Sequence, residues 1–311
     1  MKKQLWKRLI QFAAVLLGIS FLSFLLIYFA PGDPVRAMFA ASGSIPSDEA
    51  LAKMREELGL DRPFVIQYLD WLKNCLRGDF GVSLAHGQPV ARLLAARVGP
   101  TLKLALLSLL MMVIMAVPMG VVSALHKDRI ADYLIRAISF VGISMPNFWV
   151  GLLLLYFVAL KMRLLPVVTA DMGLKKMLLP AFTLALAMAG KYARQVRAAV
   201  LEELNQEYVS GARARGITEL RIVWRHVMPN ALLPLITLLG LSLGSLLGGT
   251  AVVEVIFSYP ALGSLAVSAI TSMDYPLIQG FVLWIALIYM IVNLVVDVSY
   301  GLLDPRLGKG A

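Results

Sequence analysis

The sequence predicts an all-α integral membrane protein with six transmembrane helices, and three observations carry that prediction. Hydrophobic residues fill 59% of the 311 positions and charged residues only 15%, with a mean hydropathy of +0.78, whereas soluble domains carry about 25% charged residues. Five uncharged runs, 9–30, 104–125, 137–160, 227–253 and 275–296, have the length of a membrane crossing, for which about 20 apolar residues are needed. Backbone groups in lipid must be satisfied within the segment, so such runs are expected to be helices rather than open sheets. The net charge of +10 fits Lys and Arg at span ends and does not call for a nucleic-acid partner.

The first run follows Lys2, Lys3, Lys7 and Arg8, which places the N-terminus inside. It is longer than the about 7–15 residues of a signal-peptide core and has no clear small-residue cleavage site, so it reads as a span. Residues 31–103 then lie outside. Within them "PSDEALAKMREELGLD" offers Ser47 as an N-cap with acids in the first turn. "RPFVIQYLDWLKNCLRGDFG" sets Phe64, Tyr68, Trp71, Leu72 and Cys75 along one helical face. Both read as short amphipathic helices on the outer surface, there either to brace the spans or to dock a partner. Cys75 is the single cysteine, so no internal disulfide is possible.

The second run stacks Met111, Met115 and Met119 at intervals of four. Thioethers can touch soft metals or varied ligands, but in a bundle they commonly fill gaps. Pro118 and Pro146 are expected to kink the second and third spans. A sixth apolar run, 177–190, is short, and it crosses only if its helix continues through Lys191 and Arg194. With that span counted, residues 191–229 are inside, with seven Lys and Arg between Lys191 and Arg225. There, Glu202, Glu203 and Glu207 precede the small residues Ser210, Gly211, Ala212 and Ala214. Gly216 is expected to break the helix, and Thr218 to cap the next. The result is a helix–turn–helix whose small residues admit a partner surface.

Gly240, Ser242 and Gly244 in the fifth run fit the G-x-S-x-G pattern of serine hydrolases. The hydroxyl lies in an apolar run, and His86, His126 and His226 lie outside the spans, so no base is at hand. Gly240, Gly244 and Gly248 instead repeat every four residues, a spacing that lets membrane helices approach closely. Asn147 and Asp297 complete the candidate polar groups of the pathway, with Asp297 near the inner end of the last span. No metal site is expected, because the three histidines fall on different sides. No G-x-x-x-x-G-K-[ST] loop is present, so ATP, if used, is bound by another subunit.

Taken together, these stretches resemble the inner-membrane permease subunits of bacterial ABC importers, in the dipeptide/oligopeptide/nickel branch. Ser210-Gly211-Ala212, three residues, Gly216, nine residues, then His226-Val227-Met228-Pro229 follow the spacing of that family's loop, E-A-A-x3-G-x9-I-x-L-P. "APGDP", "LGLDRPFVIQYLDWL", "GDFGVS", "GISMPNFW", "MDYPLIQG" and "VDVSYGLLDPR" extend the likeness over nearly the whole chain. "YPALG" stands where the branch more often has "WPGLG". The resemblance implies a type I ABC importer permease fold and three parts. These are a first span with its outer segment (1–96), a permease core (97–297) holding the ATPase-coupling loop (191–229), and a cytoplasmic tail (298–311).

The resemblance further implies partners: a second homologous permease, two ATPase subunits that carry ATP and Mg²⁺, an external binding protein, and membrane lipid. This chain itself binds no cofactor. Coupling to the ATPase falls on Tyr208, Ala212, Arg213, Ala214 and Gly216, and the glycine face becomes a candidate contact with the other permease. The solute stays open between di- or oligopeptides, glutathione and a nickel chelate. The rival classes are an ion-coupled carrier, which would work without ATP, and an intramembrane hydrolase, which would need the absent base.

Overall fold

The computed structural model describes residues 2–41, 45–166 and 173–303. Among them the chain is helical, with one isolated bridge between Val82 and Pro89. It divides into two compact units, 1–101 with 260–291, and 102–259 with 292–311. These units do not follow the linear partition at residue 97, because residues 260–291 join the N-terminal unit.

In the first unit α1 (Lys2–Tyr28), α2 (Pro34–Ala41), α3 (Asp48–Glu57) and α4 (Phe64–Leu76) precede α5 (Val90–Leu125), whose first turns belong to this unit. Ser47 caps α3 as expected, its hydroxyl accepting from Ala50 N–H at 3.2 Å. The expected face of α4 forms and rests on the first span, as the bracing reading requires. Phe64, Tyr68 and Trp71 meet Phe24 edge-on or tilted at 5.5–5.6 Å between ring centres. Tyr68 also shares a hydrogen bond with the buried Ser20 hydroxyl at 2.9 Å. Aromatic pairs of this geometry add about 0.5–1.5 kcal/mol each beyond area burial, so α4 is a brace for α1. Val65, Ile66 and Leu69 stay exposed on its other side. Burial and nearby Asp79 push the Cys75 thiol up to about 12, which makes it a packing residue and a poor nucleophile.

The residues that return to this unit are a ten-residue helix that sequence periodicity did not single out and the start of the last long helix. These are α13 (Leu262–Thr271) and α14 (Tyr275–Leu303), numbered in chain order after the second unit's α6–α12. Leu262, Leu265 and Ala269 pack with Val90, Leu94 and Leu277. Asp274 locks the arrangement. Wholly buried, it accepts from Ser83 Oγ at 2.5 Å, from the N–H groups of Leu84 and Ala85 at 3.2 Å, and from Leu277 N–H at 3.3 Å. It is thus the N-cap of α14 and the anchor of the "GDFGVS" loop. Asp274→Ala removes the acceptor of four donors, three of them in the loop at residues 83–85. The expected loss is about 2–4 kcal/mol, read as a lowered melting temperature of the detergent-solubilised protein. Asp274→Asn should lose clearly less.

The second unit holds the rest of α5, then α6 (Ile130–Ser144), α7 (Asn147–Leu154) with π-helical turns over Leu155–Lys161, α8 (Leu174–Leu204), α9 (Glu207–Ala214), α10 (Glu219–Ile222) with π-helical turns over Val223–Val227, α11 (Met228–Gly249) and α12 (Ala251–Ile256). Each of the six apolar runs is helical. Three helices, Ile10–Tyr28, Val90–Leu125 and Tyr275–Val296, are long and apolar enough by themselves to cross a membrane. The third run bends at Pro146 as expected, and far more sharply than a kink: α6 and α7 meet at 101°. Met145 is extended (ψ 130°) ahead of Pro146, also extended (ψ 135°); proline excludes the helical region for its predecessor and offers no N–H to continue the ladder. Pro118, by contrast, does not interrupt α5. The short fourth run continues as predicted through Lys191 and Arg194 into the 31 residues of α8.

Candidate functional site

Two places in the second unit gather the residues of interest. The first is the segment from α9 to the π-helical turns. Gly216 ends α9 with φ +73°, a conformation that costs a residue with a Cβ about 1–2 kcal/mol. Thr218 takes the N-cap position of α10 without a side-chain hydrogen bond. Arg213 Nε donates to Glu219 Oε1 at 2.6 Å across the turn, holding the Arg213 guanidinium more firmly protonated. Tyr208 OH donates to Glu203 Oε2 at 2.5 Å and accepts from Asn230 Nδ2 at 3.4 Å; burial, reinforced by Glu203, pushes the phenol up.

The inner side of this segment is apolar and closed. Val209, Ala212, Ile222, Val223 and Val227 are buried together with Val121 and Ala124 of α5 and Val196 and Val200 of α8. Ala212 is 1% exposed, so its small size serves packing within the chain. This corrects the expectation that Ala212 meets a partner. The outer side is open: a Cβ on Gly211 or Gly216 would meet nothing within 4 Å, Ala214 is exposed, and Leu220 and Trp224 are 72% and 57% exposed. Leu220 and Trp224 lie four apart on one helical face. Their spacing is legible in the sequence, but the segment reads there as basic rather than apolar.

An ion pair holds the neighbouring helix ends. Arg197 Nε and Nη2 donate to the two Asp132 carboxylate oxygens at 2.8 and 2.7 Å. Ser123 Oγ adds a bond at 2.5 Å and Asp128 N–H one at 3.0 Å. The end of α5, the start of α6 and the middle of α8 are therefore fixed to one wholly covered carboxylate. Glycines let the same helices touch: Gly120 lies against Ala193 and Val196, and Gly190 against the Ser139 backbone.

The second place is a cavity of about 190 Å³ lined by Asn147, Met188, Lys191, Tyr192, Ser242 and Ser245, among others. Tyr192 OH donates to the Leu238 carbonyl at 2.6 Å and is bonded to Ser242 Oγ. Ser242 is thus a partner of a tyrosine inside α11 with no histidine beside it. Ser242→Ala is expected to leave assembly and transport within about twofold of wild type, since Tyr192 keeps its carbonyl acceptor; the check is yield and uptake of the reconstituted protein. Of the pathway candidates, Asn147 lines this cavity. Met111, Met115 and Met119 do not: they pack, half-buried, against Met112, Ala116, Ala185 and Ala189. The Asp297 side chain and residues 304–311 lie outside the described residues. The glycine face is not one surface: Gly240 is occupied by Val296 of α14, Gly244 is buried and Gly248 is open. Among the described residues no three His, Cys, Asp or Glu side chains gather as a metal site would require.

The first unit carries a larger cavity of about 760 Å³, lined by Asp33, Arg55, Arg62, Asp70, Trp71 and Tyr275 among others. Asp33 accepts from Arg55 Nη2 at 2.5 Å and from Val35 N–H at 3.0 Å. Partial burial works against its charge, but the Arg55 guanidinium and the Val35 amide outweigh it, and the carboxyl lies below its ordinary range.

Packed apolar helices, several of them long enough to cross a membrane, are the frame in which the sequence relatives place this chain among transport subunits. Residues 116–309 match the family described as binding-protein-dependent transport system inner membrane component, and residues 1–105 match its N-terminal component; the chain belongs to this family of inner-membrane ABC importer permeases. Among its relatives, the glutathione transport system permease protein GsiC of Escherichia coli (strain K12) is 37% identical over 97% of both chains. The oligopeptide transport system permease protein AppB of Bacillus subtilis (strain 168) is 37% identical over 97% of this chain and 98% of its own. The probable D,D-dipeptide transport system permease protein DdpB of E. coli (strain K12) is 35% identical over 95% and 94%. The fold is that of type I permeases: the MetNI methionine ABC transporter in an inward-facing conformation matches 68% of this chain and 96% of its own, with a TM-score of 0.56 at 21% identity.

Proposed function

We propose that this chain forms half of the translocation pathway of an ATP-driven importer of short peptides. It pairs with a second, homologous permease, and two ATPase subunits bind ATP and Mg²⁺. An external binding protein delivers the solute. The observation that carries this reading is the two-sided segment from α9 to Val227. Its buried inner face joins it rigidly to α5 and α8, and its open outer face, with Tyr208, Gly211, Ala214, Leu220 and Trp224, is free to enter a groove on an ATPase. Nucleotide-driven closure of the ATPases would then bias the packing of the spans between inward- and outward-facing states. The solute class rests on the relatives named above, whose names carry a dipeptide, an oligopeptide and glutathione, all of them peptides.

The test is ATP-dependent uptake by proteoliposomes holding the complete complex, with labelled di- and tripeptides and a labelled nickel chelate offered in parallel. Peptide uptake that unlabelled nickel chelate does not compete supports the reading; uptake of the nickel chelate alone overturns it. Orientation has its own check. In a Cys75→Ser background, Ile45→Cys, at a position 99% exposed, should react with an impermeant thiol reagent in intact cells. Ser210→Cys should react only after the membrane is opened, and equal labelling of both would contradict termini inside the cell.

A further inference from the structure

Lys191 lines the cavity of the second unit, and its side chain has no hydrogen-bond or ion-pair partner among the described residues. It stands on α8 immediately after the apolar stretch 177–190, and six residues before Arg197, about 9 Å along the helix axis. Arg197 is fixed by Asp132, a carboxylate that Ser123 also holds, at the level where α5 ends and α6 begins. Lys191 therefore lies about two turns inside that level, toward the apolar layer. The neighbouring side of α8 is shut: Gly190 abuts the Ser139 backbone, and Tyr192 and Ala193 are buried. Lys191 and Arg194 share the open side, both exposed, and neither forms a hydrogen bond or ion pair among the described residues.

A bare cation at this depth is tolerated where it faces a water-filled cavity or a counter-charge. The cavity it lines supplies neutral polar groups, from Asn147, Tyr192, Ser242 and Ser245, and no carboxylate. The site is thus positive and hydrogen-bonding without an anion of its own. We infer that the Lys191 ammonium is the pathway's contact for the carboxylate of the passing solute, with Arg194 the next cation along the same face. For a short peptide the group is the C-terminal carboxylate. The Asn147 amide and the Ser245 hydroxyl beside Lys191 suit the peptide's own amides, the Tyr192 and Ser242 hydroxyls being engaged with each other, and Met188 offers an adaptable apolar wall. This inference rests on the reading of the chain as a peptide permease. It adds the residue that selects for the anionic end.

The experiment uses the complete reconstituted complex in a Cys75→Ser background. Lys191→Met and Lys191→Cys should lower peptide uptake at least about tenfold, as expected for loss of one charge-assisted hydrogen bond, while the ATPases still co-purify. Lys191→Arg should keep most of the uptake. Modifying Lys191→Cys with an aminoethyl methanethiosulfonate rebuilds an ammonium and should restore uptake; the sulfonatoethyl reagent, which installs an anion, should not. Without nucleotide, millimolar dipeptide should slow the aminoethyl modification, and the same dipeptide as its C-terminal amide should not.

Full uptake by Lys191→Met, equal rescue by both reagents, or equal protection by the amide overturns the inference. So does a Lys191→Met defect present in phosphatidylglycerol vesicles but absent in phosphatidylcholine vesicles, which would make a lipid headgroup the partner. A wild-type complex that imports no peptide overturns the peptide reading itself, an outcome separate from all of these.

Discussion

Arg197→Met is expected to remove most of the folded protein. The Asp132 carboxylate is wholly covered and receives four hydrogen bonds, two of them from Arg197. Without the guanidinium, its charge has only Ser123, one backbone amide and the looser Arg136, whose Nε is 3.7 Å away and whose side chain is 40% exposed. Removing one partner of a buried pair costs about 3–5 kcal/mol; the site lies at helix ends near water, so about 2–4 kcal/mol is expected. The melting temperature and the monodisperse fraction in detergent should both fall sharply. The double variant Asp132→Leu/Arg197→Met should recover much of the loss, because it leaves no unpaired charge. Arg136→Met should change little. A single variant as stable as wild type would mean that the pair does not hold α6 and α8 together.

The second large effect concerns the segment proposed to dock on the ATPase, where the structure separates two kinds of variant that the sequence alone merges. Leu220→Asp and Trp224→Ala change exposed side chains. They are expected to leave the permease folded and to abolish or strongly weaken retention of the ATPase during purification, since an apolar anchor at the centre of an interface is commonly worth about 2 kcal/mol or more. Ala212→Trp acts elsewhere. It forces a large ring into a cluster that is already filled by Val209, Ile222 and Val227, so the segment itself should unpack, at a cost of about 1–3 kcal/mol or more. Gly216→Val should cost about 1–2 kcal/mol through its φ of +73°. Comparing limited proteolysis of the permease with ATPase co-purification separates these cases. Trp224→Ala with full ATPase retention would remove the proposed docking face.

Much of the architecture was legible because lipid imposes a simple rule: uncharged runs of span length must be helical. The register of α4 and the Ser47 cap follow equally local signals, apolar periodicity and a side chain that satisfies the first turn. What the sequence hid is long-range. Asp132 and Arg197 are 65 residues apart and read separately as span-end charges. Asp274 reads as a turn residue, and only folding brings it to Ser83, 191 residues away. The break at Pro146 was visible, but its 101° bend depends on the extended Met145 before it. Small residues in the docking segment suggested room for a partner, yet burial depends on which way α9 rolls. Ala212 turned inward, while Leu220 and Trp224 turned out. In the sequence Lys191 reads as a charge that reaches for the interface; that no carboxylate lines its cavity becomes apparent only once the surrounding side chains are in place.

The proposed coupling runs from ATP bound by a partner, through the segment from Glu207 to Val227, to movement of solute through the spans. It is tested most directly by peptide uptake into proteoliposomes under two energy sources. The complete complex should accumulate labelled dipeptide with ATP and the binding protein present, in the absence of any ion gradient, and Leu220→Asp should abolish that accumulation while the spans remain inserted. Accumulation by the permease pair alone, driven by a proton or sodium gradient without ATP, would contradict the account and identify an ion-coupled carrier.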